Sequence, residues 1–316
     1  MAKSMDRTSG VAGATLEHGP GAASPERRLA TFAGLGAIGL WALLAPLGVA
    51  VGPVPPFQLT AAAFLIGGLA GLVAQRLRGR PIGEALRGDP GSALLAITAL
   101  FGFHACYFTA LQLLPAVTAL LVVNLWPLLI VLLSALLPGE RLRPRHLVGA
   151  ACGLAGTVLV VTAKGAPSLG GGLVGWLAAL AAALIWSGYS VLNRRVGRDA
   201  RTESMTLYCL VTAALAAGCA TVLEPLVPPT GWGWPALIAL GLGPVGLAFF
   251  LWDHGTRHGD LRALGASAYL GPLLGAVLLV AMGAGEPSWR LVLAALLIIG
   301  GAALASGDLW RPRDRA

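Results

Sequence analysis

The strongest constraint on this chain is a succession of apolar blocks, each about 20 residues long and each ended by a short polar link. They lie near Leu29 to Val51, Phe57 to Gln75, Ser92 to Leu114, Val117 to Leu137, Leu147 to Ala163, Leu173 to Leu192, Met205 to Leu223, Trp234 to Trp252, Ala263 to Met282 and Leu291 to Leu309. About 20 residues of α-helix rise roughly 30 Å, the thickness of a bilayer core. Lipid offers no partner to an exposed backbone N–H or C=O, and the blocks are too long and too evenly apolar for the alternating strands of a barrel. The expectation is an all-α polytopic membrane protein of ten transmembrane helices.

Composition agrees. Hydrophobic residues make up 56% of the chain and charged residues 11%, against about 25% charged in soluble domains. The net charge of +8 would suggest nucleic acid in a soluble protein, but here the arginines sit in short clusters between apolar blocks, so no nucleic-acid partner is expected. With the N-terminus inside, every basic residue except Lys164 and Arg290 falls on the cytoplasmic side, as the positive-inside rule requires. The expected location is the bacterial inner membrane, multi-pass, with N- and C-termini cytoplasmic. Cys106, Cys152, Cys209 and Cys219 lie inside apolar blocks without zinc-ligand spacing, so no metal is expected. There is no GxxxxGK[ST] loop, and no cofactor is expected.

The chain divides into a tail at 1–28, which has no apolar periodicity and is expected to be disordered and cytoplasmic, a first unit at 29–163, a linker at 164–172, a second unit at 173–309 and a tail at 310–316. The two units repeat. Trp41 and Trp186 are 145 residues apart, and so are Pro127 and Pro272. The segment WPLLIVLLSALLPGE, from Trp126 to Glu140, matches GPLLGAVLLVAMGAGE, from Gly271 to Glu286, with one residue inserted. Because each unit has five spans, the second enters the membrane from the other side, making two inverted five-helix repeats. Such pairs can exchange conformations around a site near the midplane.

These two segments resemble the drug/metabolite transporter superfamily in its ten-helix form, built of two EamA-type repeats. Val123 to Pro127, Trp252 to Asp260 and Ala266 to Pro272 are similar to the aromatic and neutral amino-acid exporter group. The resemblance implies export of a small molecule, an aromatic or neutral amino acid; the inverted repeat implies alternating access, and the lack of a mid-depth carboxylate favours a facilitator over carboxylate-relayed proton coupling. Export of another metabolite or drug, proton coupling through a histidine, and an intramembrane enzyme are the competing readings; His104 has no obvious carboxylate or metal-ligand partner to support the last, so no enzyme is expected.

Polar and aromatic groups inside lipid are costly and mark the candidate substrate site. His104 lies about 12 residues into the third span, roughly 18 Å deep; it either bonds a neighbouring helix or lines a path. Trp41, Trp126 and Trp186 are also deep, where tryptophan is uncommon, and could wall an aromatic cavity. Tyr107, Asn124, Tyr189, Ser190, Ser267 and Tyr269 supply hydrogen-bonding groups at similar depth. Pro127 and Pro272 are candidate hinges. Trp232, Trp234, Trp252, Trp289 and Trp310 fall near expected helix ends and read as interface anchors. Glu140, Glu224, Asp253 and Glu286 also fall near ends, leaving no carboxylate at mid-depth. Gly149 with Gly153, and Gly67 with Gly71, have the spacing of close helix crossings.

Overall fold

Helix satisfies every backbone group of an apolar segment in lipid, and each apolar block adopts it. The computed structural model describes residues 24–138, 142–163, 165–168, 170–196, 200–283 and 286–306. The spanning segments are α1 (Pro25–Val51), α2 (Pro56–Leu77), α3 (Pro90–Leu113), α4 (Ala116–Ser134), α5 (Pro144–Thr162), α6 (Leu173–Val196), α7 (Thr202–Leu223), α8 (Gly233–His258) and α9 (Leu261–Ala281). The tenth, α10 (Trp289–Ala305), is shorter and also apolar. Among the described residues there is no strand. Residues 1–23 of the expected tail, Glu140, Lys164 and the tail at 310–316 lie outside the described residues.

Two helix ends depart from expectation because polar residues are drawn into them. Residues 25–28, read as tail, form the first turn of α1: Ser24 Oγ accepts from the Arg27 N–H at 3.2 Å, and Pro25 takes the first position, where its missing N–H costs nothing. Helix α8 continues past Trp252 to His258. Hydropathy falls there at Asp253 and Arg257, yet both side chains are buried inside the protein.

Prolines decide where helices break. Pro127 leaves the Val123 carbonyl without its helical donor, and α4 divides into Ala116–Val123 and Trp126–Ser134. Pro272 does the same to Ala268, and α9 divides into Leu261–Ser267 and Leu270–Ala281. A third break was not anticipated. Pro46 deprives Ala42, and α1 divides into Pro25–Trp41 and Leu44–Val51. Helices α3 and α8 instead loosen into π-helical turns at Thr98–Gly102 and Gly241–Leu247.

The repeat is visible in these boundaries. Adding 145 to Val51, Leu113, Ala116 and Pro144 gives Val196, His258, Leu261 and Trp289, each the corresponding helix end in the second half. Packing follows the same symmetry. Equivalent helices pair with each other, α2 with α7, α4 with α9 and α5 with α10, while α1 packs on α8 and α6 on α3, an exchanged pair. Small residues permit the crossings: a Cβ on Gly149 would stand 2.5 Å from the Gly301 carbonyl oxygen, and one on Gly67 would stand 2.9 Å from Gly246 Cα. Between these tight pairs, α1, α3, α4, α6 and α8 surround the middle of the bundle.

Candidate functional site

The three deep tryptophans converge. Trp41 from the end of the first half of α1, Trp126 from the break in α4 and Trp186 from α6 meet with ring centroids 6.4 Å (Trp41 to Trp126), 5.7 Å (Trp41 to Trp186) and 6.4 Å (Trp126 to Trp186) apart, edge to face. Helix breaks and π turns bring them there. The π turn of α8 turns the Pro244 carbonyl toward α1, where it accepts from Trp41 Nε1 at 3.0 Å.

A fourth tryptophan completes the cluster. Trp252, expected at the interface, is fully buried at 0% exposure and lies 5.0 Å from Trp41, 5.8 Å from Trp126 and 6.3 Å from Trp186. The expectation failed because α8 runs beyond it. Its Nε1 donates to Ser190 Oγ at 3.1 Å, and Ser190 in turn donates to the Trp186 carbonyl at 2.8 Å. Ser190 therefore anchors the Trp252 indole to the α6 backbone. Phe249, Phe103 and Phe64 were also overlooked; they link the tryptophans to His104, whose ring is 5.2 Å from Phe64 and 6.4 Å from Phe249. The repeat offset held the missing signal, because Phe249 and Trp252 are the counterparts of His104 and Tyr107.

The remaining candidate residues divide. His104 sits in the chamber wall with Nδ1 2.6 Å from the Leu100 carbonyl, and Tyr107 stacks on Phe103 at 5.8 Å. Asn124 marks the break in α4 and donates to the Leu120 carbonyl at 2.8 Å. Tyr189 touches Trp186 at 5.4 Å but directs its hydroxyl away, toward Asp253. Tyr269 stands apart from the rings. It is buried among Leu273, Ile298 and Leu128, where its hydroxyl accepts the Leu128 N–H at 3.2 Å, a donor that the α4 break sets free. Ser267 is buried just ahead of the α9 break.

From Phe101 to Thr109 no residue of α3 is either fully buried or fully exposed. That stretch is about two and a half turns, so it samples every face of the helix. Phe103 and Tyr107 pack toward α4 and α6, and Phe101 and Ala105 toward α2 and α7.

The end of the bundle that carries the start of α1, here the N-terminal face, is closed by polar contacts. Asp253 is 4% exposed and receives hydrogen bonds from Asn193 at 3.0 Å and Tyr189 at 3.4 Å, both on α6. Its other oxygen pairs with Arg257, which also donates to the Ala200 carbonyl and to Thr202. Arg194 donates to the carbonyls of Thr256 and Gly259, and Arg195 to that of Leu136 at the end of α4. Beside them Arg27 pairs with Asp260 at 3.2 Å. Burial raises the Asp260 carboxyl, but Arg27 and Arg262 with the Ala263 N–H outweigh it and hold it below the usual carboxylate range. Among the described residues no group of three metal-ligating side chains converges.

The EamA-like transporter family profile matches residues 28–162 and again residues 173–307. The chain is 49% identical over 286 residues to a protein of Ancylobacter novellus named aromatic amino acid exporter YddG, covering 89% of this chain and 98% of that one. It is 25% identical over 232 residues to the uncharacterized transporter YyaM of Bacillus subtilis, covering 70% of this chain and 74% of that one. A crystal structure superposes with a TM-score of 0.85 at 48% identity, covering 89% of this chain and 97% of the other.

Proposed function

The chain belongs to the EamA-like transporter family, and from that premise we propose that it exports aromatic or neutral amino acids by alternating access, as a facilitator driven by the substrate's own gradient. In this reading it lies in the bacterial inner membrane with both termini in the cytoplasm, and the N-terminal face is the loading side. The observation that carries the substrate reading is the meeting of Trp41, Trp126, Trp186 and Trp252 where the two repeats join, beside the breaks in α1 and α4. The relative named as an aromatic amino acid exporter supports it.

Trp252 and Trp186 are buried behind the partly exposed Trp41 and Trp126, whose indoles offer apolar, electron-rich ring surface. Burying an aromatic side chain is worth about 1.5–3 kcal/mol, and a cation–π contact to an ammonium adds about 0.5–2 kcal/mol. A total near 4 kcal/mol corresponds to a dissociation constant of about 1 mM, weak enough for rapid release. Pro127 and Pro272 are the hinges of this account. Each removes a backbone hydrogen bond at the level of the chamber, so the halves of α4 and α9 can tilt without breaking further helical bonds.

Purified protein in liposomes is expected to release preloaded labelled L-phenylalanine and L-tryptophan well above empty liposomes, with no pH gradient. Folded protein that moves neither amino acid sinks the reading. A proton-coupled exporter is the second reading, favoured by the ionisable His104 in the chamber wall; release that requires a pH gradient would select it.

A further inference from the structure

A cavity of about 970 Å³ opens at the N-terminal face, directly below the Asp253–Arg257 pair. Its volume is at the upper end of the range for small-molecule sites. The lining comes from four helices: Glu26 and Arg27 of α1, Leu137 just past α4, Arg194 and Arg195 of α6, and His254, Arg257 and His258 of α8. The His254 and His258 rings stand 5.0 Å apart on one face of α8. Among the described lining residues, cationic and imidazole side chains outnumber the one carboxylate, Glu26.

Membrane topology accounts for arginine on this side, but not for its placement. Arg76 and Arg78 lie at the end of α2, where orientation accounts for them, whereas Arg80 pairs with Glu203 at 2.5 Å. The repeat does not carry the charge in both copies. The positions 145 residues before Arg194, Arg195, His254, Arg257 and His258 are Val49, Ala50, Thr109, Gln112 and Leu113, none of them basic. The excess therefore belongs to one face of a symmetric scaffold.

We propose that this vestibule is a loading site for the carboxylate of the amino-acid substrate, ahead of the aromatic chamber; the assignment rests on the export reading above. An amino acid brings an ammonium, a side chain and a carboxylate, and the chamber's indoles serve the first two. The vestibule serves the third with Arg195, His254 and His258 along its wall. Arg194 reaches from that wall to the Thr256 carbonyl, joining α6 to α8, and Arg257 reaches Thr202 at the start of α7, so the carboxylate docks beside contacts that must part for the face to open.

The test compares two triple variants of the full chain in liposomes, with folding checked by thermal melting. In one, Arg195, His254 and His258 become Gln; in the other all three become Lys. The neutral variant is expected to lose about tenfold in Vmax/KM for L-phenylalanine, equally in both directions because a facilitator must balance at equilibrium, while the Lys variant stays within about twofold of wild type. Loss in both variants alike marks a structural role and overturns the proposal, as does no loss in the neutral one. Wild-type protein that moves no L-phenylalanine overturns the export reading instead.

Discussion

At the N-terminal face, α6 and α8 of the second repeat are joined by Asn193 and Tyr189 on Asp253 and by Arg194 on the Thr256 carbonyl, while Arg257 pairs with Asp253 within α8 and reaches Ala200 and Thr202. At the opposite face the places in α1 and α3 of the first repeat that correspond to Asp253, Arg257, Asn193, Tyr189 and Arg194 are Phe108, Gln112, Gly48, Leu44 and Val49. The helix boundaries repeat to the residue at several places, yet one end is joined by charge and hydrogen bonds, while at the other Leu44 and Val49 are exposed and the Glu224 carboxylate accepts from the N–H groups of Phe57 and Gln58 at 2.7 and 2.9 Å. The symmetric fold carries asymmetric side chains, and in the export reading that asymmetry sets which face resists opening. The chamber between them follows the same rule, with His104 and Tyr107 on one side facing their counterparts Phe249 and Trp252 on the other.

The largest test of this difference is Arg257→Ala against Gln112→Ala. Removing Arg257 leaves Asp253 buried without its counter-charge and is expected to cost about 3–5 kcal/mol. The Gln112 change, at the matching place in the other repeat, should stay within about 0.5 kcal/mol. Equal losses in unfolding stability would break the comparison. Next is Ser190→Ala, which strands the buried Trp252 N–H and should cost about 1–3 kcal/mol, read from thermal melting. Its counterpart in the first repeat is already Ala45, so nature has run the reciprocal change there.

Restoring the missing helical N–H gives a smaller kinetic effect. Pro127→Ala and Pro272→Ala are each expected to slow initial transport about tenfold, near 1.4 kcal/mol of barrier, whereas Pro46→Ala should change it less than twofold, because α6 works unbroken at the matching Val191. The smallest effect is electrostatic. A carboxyl held below its ordinary range stabilises the fold above its unfolded value and loses that contribution as pH falls through the lower folded value. Melting of wild type and Asp260→Asn should therefore differ at pH 7 and converge below about pH 4.

Sequence periodicity reveals spans because lipid demands long apolar helices, and proline reveals breaks because its chemistry is local. Pro127 and Pro272 were legible twice over, by type and by repetition. Pro46 escaped because its counterpart is Val191, so the repeat pointed nowhere near it. Trp252 escaped for another reason: hydropathy counts Asp253 and Arg257 as solvent-facing, while the fold pairs them and keeps the helix running. Depth alone also fails to say which side of a helix a residue takes. Asn124 and Tyr269 are equivalent in sequence and both mark breaks, but Tyr269 fills the space beside Gly153, where a Cβ would strike its ring. Trp41 and Trp186 were legible because depth and repetition agreed; Trp126, whose counterpart is Gly271, was legible from depth alone.

The aromatic chamber is the centre of the account, and binding to it can be read directly. Purified wild type, excited where indole absorbs and phenylalanine does not, is expected to show a saturable fluorescence change on titration with L-phenylalanine. Trp186→Ala and Trp126→Ala, each confirmed as folded, should bind at least tenfold more weakly. Isotherms for both variants that coincide with wild type would show that the amino acid binds elsewhere and would contradict the account.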